Sequence, residues 1–267
     1  MRRLIEIEWL KNRHYRTFWV VIGVYFLVLG FVCSNGKQVL AFLERKGIKY
    51  EQFKPTMLPI YDFPDVWQNI TYMASFFKIF LAFGIIISIT NENSYRTIRQ
   101  NIIDGLSKKD FIFSKVGFIF LLSLLDSTFL FLLSLLMGFW HSSVTDFRSI
   151  SQTIFFIPAH FLEVCTYLVF ALLVGLLLKK SGLSIVLLLV YTLIIEPILG
   201  AILLREHDWV ARFLPIKALN NLIPSPFPRY LFQEIQDYVA WDAILIVMAH
   251  LVIYIFLCYR LLAKRDL

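Results

Sequence analysis

Six long apolar runs separate the charged parts of this 267-residue chain. Each run is close to the roughly 20 residues that an α-helix needs to cross the hydrocarbon core of a bilayer. Because a backbone in lipid must satisfy its own hydrogen bonds, such runs are expected to form helices. The sequence therefore predicts an all-α membrane protein, a six-transmembrane-helix bundle that forms a single domain over residues 1–267. The predicted spans cover residues 18–33, 70–89, 116–140, 154–178, 183–204 and 243–262.

Composition supports this interpretation and excludes others. The chain is 58% hydrophobic and only 17% charged, which is too apolar for a soluble domain of this size. The net charge of +7 does not indicate nucleic-acid binding, because the cations flank the apolar runs and do not form one basic domain. Cys33, Cys165 and Cys258 all lie inside apolar runs, a pattern unlike a disulfide framework or a zinc site.

The distribution of Lys and Arg predicts the orientation. With the N-terminus inside, the inner segments hold 15 cations and the much longer outer segments hold 10, so the positive-inside rule favours both termini inside. Residues 1–16 are strongly charged, and Leu4, Ile7 and Leu10 form a weak helical stripe, which predicts a short interfacial helix. That charged lead contains acids, and no small-residue cleavage site precedes Ser34. The first run is therefore expected to remain as a span.

One polar, basic segment, Glu92–Lys115, separates the second and third runs and is predicted to lie on the inner side. Its apolar residues recur at helical spacing and fall on one face of a short helix. Gly105 stands where such a helix would end in a left-handed turn. Ser107, with Asp110 three residues later, is typical of the cap that starts the next helix. The apolar face comprises Tyr95, Ile98, Ile102 and Leu106.

This segment resembles the cytoplasmic stretch between the second and third spans of ABC-2 type exporter permeases. The family has an acidic residue, a threonine at the start of a short helix, a serine followed by a basic residue, and a later lysine. In this chain the matching positions are Glu92, Thr97, Arg99, Gly105, Ser107, Lys108 and Lys115. Arg96 stands where glycine is common before the threonine. The alternative is an ordinary basic loop that only fixes the topology.

The resemblance implies a function as well as a fold. It implies the membrane permease subunit of an ATP-driven exporter, with a second permease copy or a paralogue completing the pathway. A separate dimeric ABC ATPase would bind ATP and Mg²⁺ and dock under the short helix. The implied docking residues are Tyr95, Ile98, Ile102 and Leu106, with polar contacts from Glu92, Arg96 and Arg99.

Residues 205–241 are rich in aromatic side chains and are turned by the sequence PSPFP at 224–228. They predict two short helices on or in the outer leaflet. ABC-2 permeases resemble this too, since they carry short outer helices between their last two spans. An aromatic surface loop is the alternative.

Four ionisable residues lie inside predicted spans: Lys78, Asp126, Glu163 and Glu196, the last followed by Pro197. Charges in a bilayer are costly when they are unpaired, so we expect pairing within the bundle, Lys78 with Glu163 or Glu196. The alternative is a role on the transport pathway, since spans two and five line it in the permeases this chain resembles. His160 and Glu163 share a helical face and could instead bind a metal or relay protons, although one pair supplies only two ligands.

These charges also support a rival function, a stand-alone carrier or channel driven by an ion gradient. The chain has no G-x-x-x-x-G-K-[ST], H-E-x-x-H or G-x-S-x-G motif, so we expect no enzyme activity and no cofactor in this subunit. We expect a multi-pass protein of a bacterial cytoplasmic membrane, surrounded by lipid and without a nucleic-acid partner. The cargo stays open. Phe- and Leu-rich spans favour an amphipathic or lipid-like molecule over a hydrophilic ion.

Overall fold

The structure is a computed structural model that describes residues 8–9, 11, 13, 16–46, 58–206, 208–227 and 236–264. Throughout these residues the regular secondary structure is helical. The interfacial helix predicted over residues 1–16 lies largely outside the described residues and stays a prediction.

The described helices run from α1 and α2 to a bent pair, α3 and α4, which leads to the short helix α5. The long helix α6 and the short α7 precede α8. A π-helical turn at Tyr191–Ile195 joins α9 to α10, and two short helices precede the last long one. The bounds are α1 Arg16–Ser34, α2 Gly36–Arg45, α3 Val66–Ser75, α4 Lys78–Ser94, α5 Thr97–Ile103, α6 Lys108–His141, α7 Phe147–Ser151, α8 Phe156–Leu178, α9 Ser181–Val190, α10 Glu196–Glu206, α11 Asp208–Ala211, α12 Pro215–Asn220 and α13 Trp241–Ala263.

Five of the six predicted apolar runs lie in helices that are long and apolar enough to cross a membrane. The remaining run, residues 70–89, lies on α3 and α4. These two helices form a sixth candidate span if the bent pair crosses the membrane as a single segment. The structure thus confirms an all-helical chain with five to six candidate spans.

The second predicted span, residues 70–89, differs from expectation because it is not one straight helix. The axes of α3 and α4 meet at 43°. At the break the backbone N–H groups of Phe76 and Phe77 bond three residues back, to Met73 and Ala74, so the turn tightens. The Ser75 Oγ also lies 3.0 Å from the Thr71 carbonyl oxygen, one turn earlier in α3.

The fifth predicted span, residues 183–204, contains Pro197, a residue that often breaks a helix. The span nevertheless continues as a helix through a wide turn at Tyr191–Ile195. Pro197 has no N–H to donate, and its ring would crowd the carbonyl four residues earlier. The π-helical turn just before it widens the helix there, which accommodates the proline without ending the span.

Helix α8 lies at the centre of the bundle. Its span, taken together with α7, is 72% buried, against 17% for the spans of α9–α10 and α13. It packs against α4, α6 and α13. Gly175 permits the close contact with α4, because a Cβ there would lie 2.6 Å from Ile89 Cγ2. The most apolar helices at the periphery are left with faces suited to lipid.

The two ends of the bundle are distinct. At the first end, which we call the basic end, α5 joins α4 to α6. Lys108 Nζ donates to the Ala263 carbonyl there at 3.1 Å, so the C-terminal end of α13 lies beside the start of α6. At the other, the far end, Trp67 Nε1 donates to the Ile150 carbonyl at 2.8 Å. Gln68 there donates to the carbonyls of Pro224 and Gln236, at 3.0 and 3.3 Å. Buried polar groups of α3 therefore organise the connections at the far end.

Arg96 joins α4 to α5 in a left-handed conformation, with φ 57° and ψ 19°. This is the position where the resembling family often has glycine. A residue with a Cβ pays a penalty in this region that glycine does not pay. The sharp change of direction into α5 therefore carries backbone strain in this chain.

We predict that Arg96→Gly raises the stability of the protein by up to about 1 kcal/mol, since the relief of strain exceeds the added backbone entropy. Thermal unfolding in detergent should show an increase on the order of 2–4 °C. Arg96→Ala is the matched control, because it removes the same side chain but keeps the Cβ. An equal change in both variants would contradict the strain at this turn.

Candidate functional site

The short helix α5 presents a different face from the one expected. Ile98 is 2% exposed and lies in the hydrophobic core of the bundle, and Ile102 and Leu106 pack partly against that core. Part of the apolar stripe therefore faces the chain's own core, because α5 folds back against α4. Of the residues expected to dock a partner through an apolar face, Tyr95 is the exposed one.

The outward surface of α5 combines one aromatic, one aliphatic and two cationic side chains. Tyr95 is 77% exposed and Ile103 is 67% exposed. Arg96 and Arg99 are exposed beside them. Ile103 follows the half-buried Ile102 and lies outside the stripe that the helical pattern predicts. A surface of this composition suits contact with another protein.

The predicted ends of this helix are confirmed. Gly105 has φ 96°, and the Leu106 N–H returns to the Asn101 carbonyl at 3.0 Å, as expected for a helix that ends through a left-handed glycine. Ser107 caps α6 by accepting the Asp110 N–H at 3.0 Å. Thr97, at the start of α5, donates its hydroxyl to the Glu92 carbonyl at 3.2 Å.

A buried ion cluster lies beside α5; we call it the Lys115 cluster and define it as Glu8, Lys11, Glu92 and Lys115. The Lys115 ammonium contacts Glu8 Oε2 at 2.5 Å and also pairs with Glu92 Oε1. Lys11 Nζ lies 3.2 Å from Glu8 Oε1 and 3.6 Å from Glu92 Oε2. Lys115 is 5% exposed and Glu8 is 1% exposed, so these charges are shielded from water and interact strongly.

The Lys115 cluster joins three parts of the chain at the basic end: the N-terminal segment, the last turns of α4 and the early part of α6. Burial raises the pKa of Glu8, but attraction to Lys115 and then to Lys11 outweighs it and holds that pKa below its ordinary value of 4.5. Glu92 and Lys115 stand out separately in the sequence, which gives no signal of their pairing. No spacing pattern joins Glu8 to a lysine 107 positions away.

A second network lies deeper in the bundle and contains three of the four predicted intramembrane charges. Lys78 pairs with Glu163 Oε1, and Ser75 donates to the other carboxylate oxygen at 2.6 Å. Asp126 accepts from Tyr25 at 2.6 Å, and its second oxygen lies 3.0 Å from His160 Nε2. Tyr25 could not be predicted as a partner, because a tyrosine in an apolar run gives no such signal.

His160 joins the two halves of this network. Its Nδ1 lies 3.4 Å from Glu163 Oε2, while its Nε2 faces Asp126. Asp126, His160 and Glu163 are fully buried, and Lys78 is 5% exposed. The arrangement pairs charges in an apolar bundle. Its two halves meet at an ion-pair contact, because His160 Nδ1 has no hydrogen-bond partner among the described residues. Within the described residues no group of three or more His, Cys, Asp or Glu side chains has a geometry that could hold a metal ion.

Glu196 lies apart from this network. Its Oε1 accepts the backbone N–H of Lys217 at 2.6 Å, so it binds the first turn of α12. Among the described residues Glu163, and not Glu196, is the carboxylate within ion-pair distance of Lys78. Pro197 follows the π-helical turn described above. The structure therefore brings together Lys78, Asp126 and Glu163 and leaves Glu196 and Pro197 at the joint between α10 and α12.

The described helices include several apolar ones, one of which is buried at the centre of the bundle, and a short capped helix at one end. Together they define a multi-pass membrane protein with a surface for a partner. The family described as ABC-2 family transporter protein matches residues 4–195, which is well over half of the chain. The chain belongs to that family, as its resemblance predicted, and is a multi-pass membrane permease of an ABC-type system. Members of the family work in general with an ABC ATPase. None of the curated proteins compared with the chain matches it.

We predict that Lys78→Met destabilises the protein by about 3–5 kcal/mol, because it leaves the Glu163 carboxylate buried without its counter-charge. Lys78→Met combined with Glu163→Gln should recover most of the loss. Thermal unfolding in detergent measures both variants, with Lys109→Met on the exposed start of α6 as the control. Wild-type stability in the single variant would contradict the structural role of the pair.

Proposed function

We propose that this chain is the permease subunit of an ATP-binding-cassette exporter. Two such subunits, identical or paralogous and each with six spans, form the translocation pathway. A separate ATPase dimer binds ATP and Mg²⁺ and supplies the driving force. Family membership supports the general class. The observation that carries the specific proposal is the exposed face of α5, an apolar and cationic surface at the end of two candidate spans. Apolar side chains on such a surface cost free energy in water unless a partner covers them.

In this proposal the basic end faces the cytoplasm of a bacterial cell, with both termini inside. The distribution of Lys and Arg supports that orientation. Helices α3 and α4 together form the second span, and α11 and α12 are the short outer helices between the fifth and sixth. No cofactor is required in this subunit.

The docking surface proposed here is Tyr95, Arg99 and Ile103. It replaces the stripe of Ile98, Ile102 and Leu106, which the bundle itself covers. An aromatic ring and an aliphatic side chain can fill a groove on the ATPase, and the guanidinium can pair with an acidic residue at its rim.

The Lys115 cluster provides the mechanical link in this scheme. A displacement of α5 on ATP binding is transmitted to α4 through Glu92 and to α6 through Lys115, because the buried ion pairs hold both helices together. The two bundles then rotate as rigid bodies between inward and outward access. The π-helical turn before Pro197 is where the fifth span is expected to bend.

The paired state of Lys78 supports a structural role for it, while Glu196 holds α12 against α10. The competing pathway role for Lys78 and Glu196 predicts changed substrate selectivity in a folded Lys78→Met variant. The cargo is expected to be amphipathic or lipid-like, since the spans carry few polar side chains outside the paired network.

An ion-coupled carrier is the second candidate, and the network from Tyr25 through His160 to Lys78 favours it. Such a carrier needs no ATPase. Proton- or sodium-driven flux by the isolated chain in liposomes would support it, whereas flux that requires ATP and the partner ATPase supports the exporter.

We predict that Ile103→Asp abolishes co-purification with the ATPase, because docking would bury an unpaired charge. Transport should fall by about nine-tenths or more. The variant should keep wild-type thermal stability, since Ile103 is exposed in the isolated chain. Pull-down and transport in proteoliposomes measure the two effects.

Phe147→Asp is the matched control, because Phe147 is 85% exposed at the far end and receives the same charge. It should leave docking unchanged. Ile98→Asp should instead lower stability, since Ile98 is buried. Normal ATPase binding and transport by Ile103→Asp would rule out this docking surface.

A further inference from the structure

A cavity of about 610 Å³ lies at the far end of the bundle, away from α5. Its walls come from α3, from α12 and the residues that follow it, and from the start of α13. Its volume is in the range of small-molecule sites.

The charges around the cavity do not balance. Glu163 forms part of the floor, but Lys78 already neutralises it. At the rim Arg212 lies 3.7 Å from Asp242, and both side chains are largely exposed, so that pair remains open to a ligand. Lys217 has no carboxylate within ion-pair distance among the described residues. The described lining thus has one unmatched cation and favours a negatively charged group.

The neutral polar groups of the lining are also suited to an anion. Asn220 directs its carbonyl oxygen toward Lys78 at 3.5 Å, which leaves its NH₂ group free to donate elsewhere. Asn221 and Gln236 contribute further amide side chains to the same wall. Lys217 lines the cavity, and its backbone N–H donates to Glu196, which fixes the backbone of this residue at the cavity wall.

Other residues of the lining are apolar. Tyr72, Phe76 and Ile246 line it, and Phe76 is 64% exposed at the break between α3 and α4. An exposed aromatic ring next to a cationic, amide-lined pocket fits a ligand with a charged head and a hydrocarbon body. A free inorganic anion would leave this wall unused.

We propose that the far-end cavity binds the phosphate ester of an anionic amphiphile, with Lys217 and Arg212 on the phosphate and Phe76 against the hydrocarbon. The phosphate could be supplied by a membrane lipid or by a soluble phosphate ester. The apolar wall favours the lipid. This inference does not depend on the ATPase or on the direction of transport.

Native mass spectrometry of the full detergent-purified chain, titrated with phosphatidylglycerol, tests the site. The double variant Lys217→Ala/Arg212→Gln should weaken binding by about tenfold or more, because two charge-assisted contacts are lost. Lys37→Ala, a half-buried cation at the same end that does not line the cavity, should bind as wild type. Thermal unfolding checks that each variant is folded.

Soluble glycerol phosphate separates the two sources of the ligand. If it displaces phosphatidylglycerol only at much higher concentration, and Phe76→Ser weakens the lipid alone, the lipid source is supported. If glycerol phosphate binds as tightly as the lipid and Phe76→Ser affects neither, the lipid is excluded. Equal lipid binding by the double variant and Lys37→Ala would overturn the site itself.

Discussion

The structure depends on the pairing of charges that are buried in an apolar helical bundle. An isolated charge at the centre of a bilayer costs at least about 2.5–3.5 kcal/mol, and more when it cannot reach the surface. Lys78 and Lys115 are each about 5% exposed, so each must be met by a carboxylate. Glu163 meets the first, and Glu8 with Glu92 meets the second. These contacts fix how the helices are rotated and set against one another.

The two buried sites have different consequences because of where they lie. The deeper network joins α1, α4, α6 and α8, and so holds the bundle together around its central helix. The Lys115 cluster lies beside α5 and ties the N-terminal segment, α4 and α6 into one unit at the basic end. A partner that moves α5 would therefore move two spans together. Electrostatic pairing thus connects the stability of the fold to the proposed coupling.

The spans and the ends of α5 could be predicted from the sequence because their signals are local. An apolar run indicates a span, Gly105 indicates the end of a helix, and Ser107 indicates an N-terminal cap. The break at Phe76–Phe77 could not, since neither a proline nor a glycine marks it. The apolar stripe on α5 could be predicted as a face of a helix, but the burial of Ile98 in the chain's own core could not, because periodicity does not say what covers a face.

The pairs within the network show the same limit. His160 and Glu163 share a face three residues apart, which the sequence reveals, but the contact of His160 with Asp126 depends on how α6 and α8 pack. Arg96 gave a partial signal, since the family often has glycine there and the chain indeed adopts a left-handed turn. Turns, caps and pairs on one helix could be predicted from the sequence. Contacts between side chains of different helices could be identified only in the folded structure.

The most direct test of the account is the coupling ratio of Lys115 variants, measured as substrate transported per ATP hydrolysed in proteoliposomes with the partner ATPase. Lys115→Met leaves Glu8 and Glu92 buried without their shared cation, and Lys115→Arg keeps a cation there. The account predicts that the Met variant hydrolyses ATP but loses most of its coupled transport, while the Arg variant retains it. Equal coupling ratios in the wild type and in folded Met and Arg variants would contradict it.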